Sequence, residues 1–204
     1  MSHPIKYNVI KLLHESKLYM AYYVDNVDFD FTTLQLSAAD KLKADSLHGK
    51  KRKMEFLTVR AMLSEILPSQ RIVYSATGAP IIESDACHIS ISHSDSCVGI
   101  LVSGYECGLD IENTSRDFLS VAKKFITEND TLIRSDMDLA AAWVTKEAIY
   151  KAHKGVDINI FTDIVITHMG EKQIACSVMG KTVISRILII DSLIISYVNL
   201  LNVK

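Results

Sequence analysis

The sequence predicts an α+β fold built from two similar halves of one chain, each a small sheet packed on one long helix. Three observations carry this. Phe56, Val59, Leu63, Ile66 and Leu67 recur at helical spacing and stop at Pro68, and Met137–His153 is rich in helix formers with no Gly or Pro before Gly155. Short β-rich runs surround both helices. The polar turn Ser103–Glu106 divides the chain into an N-terminal part, 1–104, and a C-terminal part, 105–204, each with strands and one long helix.

Composition bounds the class. Hydrophobic residues make up 49% of the 204 residues and charged ones 23%, the balance of a globular protein. A net charge of −2 supplies no basic field, so nucleic acid is not an expected partner. The four cysteines, Cys87, Cys97, Cys107 and Cys176, show no C-x-x-C spacing and sit in apolar surroundings, as buried free thiols of a reducing compartment would. Met1–Ile10 has no signal-peptide core, and Arg186, Asp191 and Asn199 interrupt the apolar run Thr182–Leu201 short of a membrane span. A cytoplasmic protein with no membrane association is expected.

In chain order, Leu18–Val24 reads as a strand and Asp25–Thr33 as a loop. Ser37 can cap a helix from Ala38 to Leu47. The cations Lys50, Lys51, Arg52 and Lys53 open the next helix, either as a solvated face or as a phosphate-binding edge. Thr77–Pro80 is a turn. In His88–Ser94, Ser90, Ser92 and Ser94 alternate with Ile89, Ile91 and His93; a histidine so placed is ordinarily a packed or surface residue. Val98–Val102 and Cys107–Glu112 follow as strands, expected to form a hairpin through Ser103-Gly104. Asn113–Ser135 interleaves Phe118, Leu119, Val121, Phe125 and Ile126 with Arg116, Lys123 and Lys124; it reads either as a short helix packed on the core or as a docking surface. Thr127–Asp130 is expected to start a further helical turn, and Asp136 to cap the long helix. Beyond Gly155, strands are expected at Phe161–Thr167, Ile174–Met179, Thr182–Ile190 and Leu193–Leu201, with turns at Met179–Lys181 and Asp191-Ser192.

Two stretches carry chemistry. On a strand, residues two apart share a face, so Asp110 and Glu112 project together, opposite Leu109 and Ile111. Two such acids repel unless a cation or a proton lies between them. On a helix, residues four apart share a face, so Trp143, Glu147 and Lys151 form one stripe, with Lys146 about 100° off it. Taken alone, Glu147 and Lys151 could be a surface pair. Together with Asp110 and Glu112, Glu147 would complete an oxygen cage for a hard ion such as Mg²⁺.

Gly108-Leu109-Asp110-Ile111-Glu112 followed by Trp143-x-x-Lys146-Glu147-Ala148-x-x-Lys151, with Gly78-Ala79-Pro80 and Ile89–Ser94 upstream, closely resembles the paired signature of the 4′-phosphopantetheinyl transferases. Motif order and spacing resemble the larger, surfactin-synthetase-type branch, in which two similar α+β subdomains are related by a pseudo-twofold with the site between them. The resemblance runs from Lys50 to Gly155. It implies transfer of 4′-phosphopantetheine from coenzyme A to a serine of an apo acyl or peptidyl carrier protein, releasing adenosine 3′,5′-bisphosphate. It implies Mg²⁺ on Asp110, Glu112 and Glu147; Lys151 on the phosphates and supporting the leaving group; Glu147, directly or through a water on the ion, as the base; and coenzyme contacts from Ser92, His93 and either Lys51 or Arg52. Arg60 can instead be structural. The family commonly has Gly-Lys-Pro where this chain has Gly78-Ala79-Pro80, so that lysine's phosphate contact is absent or supplied elsewhere. The family uses the region after Glu112 to receive the acidic carrier. Its short branch builds the site between subunits; the extra half here implies a site within one chain and a monomer. Two alternatives compete. A different Mg²⁺-dependent phosphotransferase or phosphohydrolase has no use for the Ser-His strand, and no Walker-type loop is present. A non-catalytic carrier-binding relative would be expected to have lost an acid or Lys151.

Overall fold

The computed structural model describes residues 5–26, 29–68, 70, 72–84, 86–154 and 158–201. Strands and helices come in runs along the chain and the strands pair antiparallel, as in an α+β fold. The first four-stranded sheet is assembled from β1 (Asn8–Lys11), β2 (Lys17–Tyr22), β5 (His88–His93) and β6 (Cys97–Ser103), in the order β1-β2-β6-β5. Two helices lie between β2 and β5 in sequence, α1 (Ala38–Ser46) and α2 (Lys50–Ile66), followed by a small hairpin, β3 (Ile72–Tyr74) and β4 (Pro80–Ile82). Ser37 caps α1, its hydroxyl accepting from the Asp40 N–H. The buried face of α2, with Val59, Ala61, Met62 and Leu63, packs on Ala21, Val98 and Ile100 of the sheet.

The second sheet has five antiparallel strands: β7 (Cys107–Asn113), β8 (Ile164–Met169), β9 (Gln173–Val178), β10 (Lys181–Ile190) and β11 (Leu193–Asn199), in the order β7-β11-β10-β9-β8. Helix α3 (Asp136–Ala152) lies across it and buries Val144, Ala148, Ile149 and Ala152 against Ile174, Cys176, Ile187 and Val198. The cap of α3 is Ser135, whose hydroxyl accepts from the Asp138 N–H, and not Asp136, which lies inside the first turn. Gly155 lies outside the described residues. A short 3-10 helix, Leu119–Lys124, precedes α3, with Leu119, Lys123 and Lys124 exposed.

The expected hairpin between Val98–Val102 and Cys107–Glu112 does not form. Strand β6 pairs with β2 and β5, whereas β7 crosses to the second sheet and pairs with β11. The apolar side of β7 explains this: Leu109 and Ile111 are fully buried against Leu18, Met20 and Leu101 of the first sheet and Leu193 and Ile195 of the second. A hairpin with β6 would leave this third core cluster, which holds the two sheets together, without its centre. Gly99 of β6 makes room for it: a Cβ there would lie 2.3 Å from the Ile111 Cδ1.

All four cysteines are free, with Cys97, Cys107 and Cys176 buried and Cys87 partly so. Among the described residues no helix is long and apolar enough to cross a membrane.

Candidate functional site

The edge of the second sheet carries the site. Strand β7 pairs with β11 on one side only, so the Leu109 and Ile111 N–H groups on its other side need acceptors. Side chains of β5 supply them: the Ser90 hydroxyl accepts from Leu109 N–H at 3.0 Å, and that of Ser92 from Ile111 N–H at 3.1 Å. The serine alternation of His88–Ser94 thus becomes a seam that registers the first sheet on the second. Both serines are buried.

The opposite face of β7 bears Gly108, Asp110 and Glu112, and α3 lies directly on it. A Cβ at Gly108 would sit 1.8 Å from the Ala148 carbonyl oxygen, a contact no side chain survives. This glycine lets the helix come close enough for Glu147 and Lys151 to reach the strand's acids. The Lys151 ammonium is 2.6 Å from Asp110 Oδ1, 3.2 Å from the Leu109 carbonyl and 3.3 Å from the Ser92 hydroxyl. That hydroxyl in turn donates to Asp110 Oδ1 at 3.0 Å. The other oxygen, Asp110 Oδ2, is buried and has no hydrogen-bond partner among the described residues.

Glu112 accepts from the Trp143 indole N–H at 3.1 Å and pairs with Arg116. The Arg116 guanidinium stacks on the Trp143 ring, 4.9 Å from its centroid. Trp143 itself packs edge-on against buried Phe125. So Trp143 both packs the helix and orients one of the acids. Glu147 is partly buried and forms no hydrogen bond with another described residue. Burial first, then the Asp110 charge, pushes the carboxyls of both Glu112 and Glu147 above the usual carboxylate range. The three acids therefore lie within electrostatic reach of one another.

By donor type Asp110, Glu112 and Glu147 would suit a hard divalent ion, and an Asp110 Oδ2 without a hydrogen-bond partner among the described residues and the mutual repulsion of the acids fit such an ion. Among the described residues no three His, Cys, Asp or Glu side chains already form a metal-holding group. Lys151 and Arg116 now neutralise Asp110 and Glu112.

Lys146 is elsewhere. Off the stripe, it is wholly buried, donating to the Phe125 carbonyl at 2.7 Å and to Asp130 Oδ2 at 2.8 Å. Asp130 also accepts from Thr127 N–H and Ile166 N–H. Asp130 was not singled out by sequence; the signal available was Thr127-x-x-Asp130, a local turn that the aspartate closes.

Beside Lys151 a cleft of about 220 Å³ opens between β5, the turn before β4 and the end of α3, lined among others by Ala79, Ser90, Cys107, Lys151 and Lys154. His93 is half-exposed on the rim of β5, with its Nδ1 3.7 Å from Glu55 of α2. Lys51 pairs with Asp95 and Arg52 is exposed; both lie at the start of α2 and neither lines the cleft. Arg60 is buried, pairs with Asp40 at 2.7 Å and stacks on Phe56, a structural placement.

No family model matches the chain, and no curated protein matches it.

Proposed function

We propose that the protein is a 4′-phosphopantetheinyl transferase, a holo-carrier-protein synthase that uses coenzyme A and Mg²⁺ to modify a serine of an apo acyl or peptidyl carrier protein. One observation carries the reading: residues of the two distant motifs meet, with Asp110 and Lys151 in direct contact, Glu112 and Glu147 within reach of the Asp110 charge, and Lys151 lining a cleft. Neither motif alone requires this convergence.

The chemistry is phosphoryl transfer at a pyrophosphate, so positioning and charge neutralisation dominate. Lys151, at the cleft, would leave Asp110 for a phosphate oxygen and support the leaving bisphosphate. Asp110, Glu112 and Glu147 would hold Mg²⁺. When bound, the ion neutralises the pyrophosphate and draws charge from its bridging oxygen. Glu147, with its raised affinity for protons, would accept the proton of the carrier serine. Ser92 orients Asp110. Trp143 and Arg116 orient Glu112. The exposed Leu119, Lys123 and Lys124 suit an acidic carrier. The same reading includes His93 and Lys51 or Arg52 as coenzyme contacts, a pseudo-twofold between the halves 1–104 and 105–204, a monomer with one site, and a cytoplasmic location.

The test is incubation with coenzyme A, Mg²⁺ and a panel of apo carriers, followed by mass spectrometry of the carriers. A phosphopantetheine mass gain on at least one carrier, lost with Asp110→Ala, is the expected result. No gain on fatty-acid, polyketide or peptide carriers would overturn the reading.

A further inference from the structure

The turn that lacks the family's lysine is wired to a lysine on the other side of the cleft. The Ala79 N–H donates to the Ser75 hydroxyl at 3.0 Å. Ser75 and Thr77 share a hydroxyl–hydroxyl bond of 2.8 Å, and the Thr77 hydroxyl donates to the Lys154 carbonyl at 2.6 Å. With Thr77 donating onward, Ser75 must donate to Thr77, so the chain runs one way from Ala79 to Lys154. Ala79 and Lys154 both line the cleft that also holds Lys151.

The backbone of Lys154 is left-handed, as it is at His14, Glu15, Met179 and Asp191. It is the first residue past the cap of α3 and has φ +55°, in the left-handed region. Glycine is the ordinary occupant of that position, because a Cβ there meets the neighbouring carbonyl. From this position Lys154 lines the cleft. Its side chain is a third exposed, and among the described residues its ammonium pairs with Glu106, at 3.0 Å, itself half exposed. An exposed pair of this kind is weak and is easily exchanged for a doubly charged ligand.

We propose that Lys154 binds a phosphate of the ligand in this cleft, taking over the contact that Ala79 cannot make, so that Lys151 in the last turn of α3 and Lys154 just past its cap act as a phosphate-binding pair. This rests on the coenzyme A reading above. Lys154 is a binding residue; Glu106 restrains it until the ligand arrives.

Calorimetric titration of coenzyme A and of dephospho-coenzyme A into wild type, Lys154→Gly, Ala79→Lys/Lys154→Gly and Glu106→Gln tests this. Glycine removes the ammonium yet is at ease at φ +55°, so Lys154→Gly should melt at or above the wild-type temperature. Coenzyme A should bind it about tenfold more weakly, roughly 1.4 kcal/mol. Ala79→Lys should recover most of the loss, and Glu106→Gln should bind severalfold more tightly than wild type. A penalty that vanishes with dephospho-coenzyme A assigns Lys154 to the 3′-phosphate; one that persists assigns it to the pyrophosphate. Equal affinity of wild type and Lys154→Gly overturns the proposal and leaves the transferase reading standing. Failure of wild type to bind coenzyme A at all overturns both.

Discussion

Helix α3 carries two lysine–aspartate pairs, and the contrast between them separates scaffold from site. In Lys146–Asp130 both side chains are fully buried and the ammonium has a second acceptor in the Phe125 carbonyl. The aspartate also accepts two backbone N–H groups. In Lys151–Asp110 the lysine side chain is 31% exposed at a cleft, one aspartate oxygen has no partner among the described residues, and two further acids stand nearby. A saturated buried pair can only be broken at a cost, since either partner alone is a stranded charge. An unsaturated pair at a cleft has capacity left for a ligand. What distinguishes the two is unused bonding capacity, not the residue types, which are identical.

The sharpest way to break this contrast is to remove each lysine. Lys146→Met should destabilise the protein by about 3–5 kcal/mol, because Asp130 is left buried and unpaired. Lys151→Met should cost far less stability yet reduce carrier modification by about two to three orders of magnitude, by analogy with loss of a preorganised charge at a reacting centre. Urea melts beside the modification assay measure both. A Lys146→Met variant that melts like wild type, or a Lys151→Met variant that retains transfer, would erase the distinction.

A second comparison uses the aspartates. With Mg²⁺ present, coenzyme A at about a hundred times its apparent dissociation constant should stabilise wild type by about 2.7 kcal/mol through mass action. Asp110→Asn should lose that gain, and its metal-free melting point should fall less than that of Asp130→Asn, since the Lys151 it leaves is partly exposed and one charge repelling Glu112 and Glu147 is gone. Asp130→Asn should melt well below wild type and keep whatever gain its folded fraction can show. An Asp110→Asn variant still stabilised by the two ligands would reject the metal assignment.

Acidity sharpens the contrast further, with a smaller effect. The folded state holds the Glu147 proton to higher pH than the unfolded chain does, so in that window the folded state binds more protons. Stability therefore falls as pH rises above the ordinary carboxylate value of about 4.5 and levels off above the raised folded value. In chelator-treated protein, Glu147→Gln should flatten this fall in the melting point. An unchanged pH profile would mean that Glu147 is not strained by its neighbours.

The smallest effect is expected at Trp143. Phenylalanine keeps most of the packing on Phe125 but removes the N–H that Glu112 accepts, a loss of about 1 kcal/mol or less. The Mg²⁺ concentration for half-maximal activity should rise severalfold. An unchanged Mg²⁺ dependence would confine Trp143 to packing.

Much of the site was legible because it rests on short-range periodicity. Strand parity put Asp110 and Glu112 on one face, and helical spacing put Trp143, Glu147 and Lys151 on one stripe with Lys146 off it. Those relations hold wherever the elements pack. The strand that carries the acids was legible, but its partner was not: β7 leaves its sequence neighbour β6 for β11. Local sequence cannot distinguish the two, since either pairing satisfies the same backbone groups. The choice falls to the burial of Leu109 and Ile111 between the sheets.

Sequence by itself determined the α+β class, the two long helices, the faces of the acids and the absence of a lysine at Ala79, since each follows from residue type and spacing along one element. Only the tertiary structure decided that Ser90 and Ser92 bind the edge of β7, that Asp130 receives Lys146, and that Lys154 meets the turn carrying Ala79. Each of these joins groups distant in the chain. Their partners are selected by which polar atoms remain unsatisfied once the apolar faces have closed, and that is known only after the core has formed.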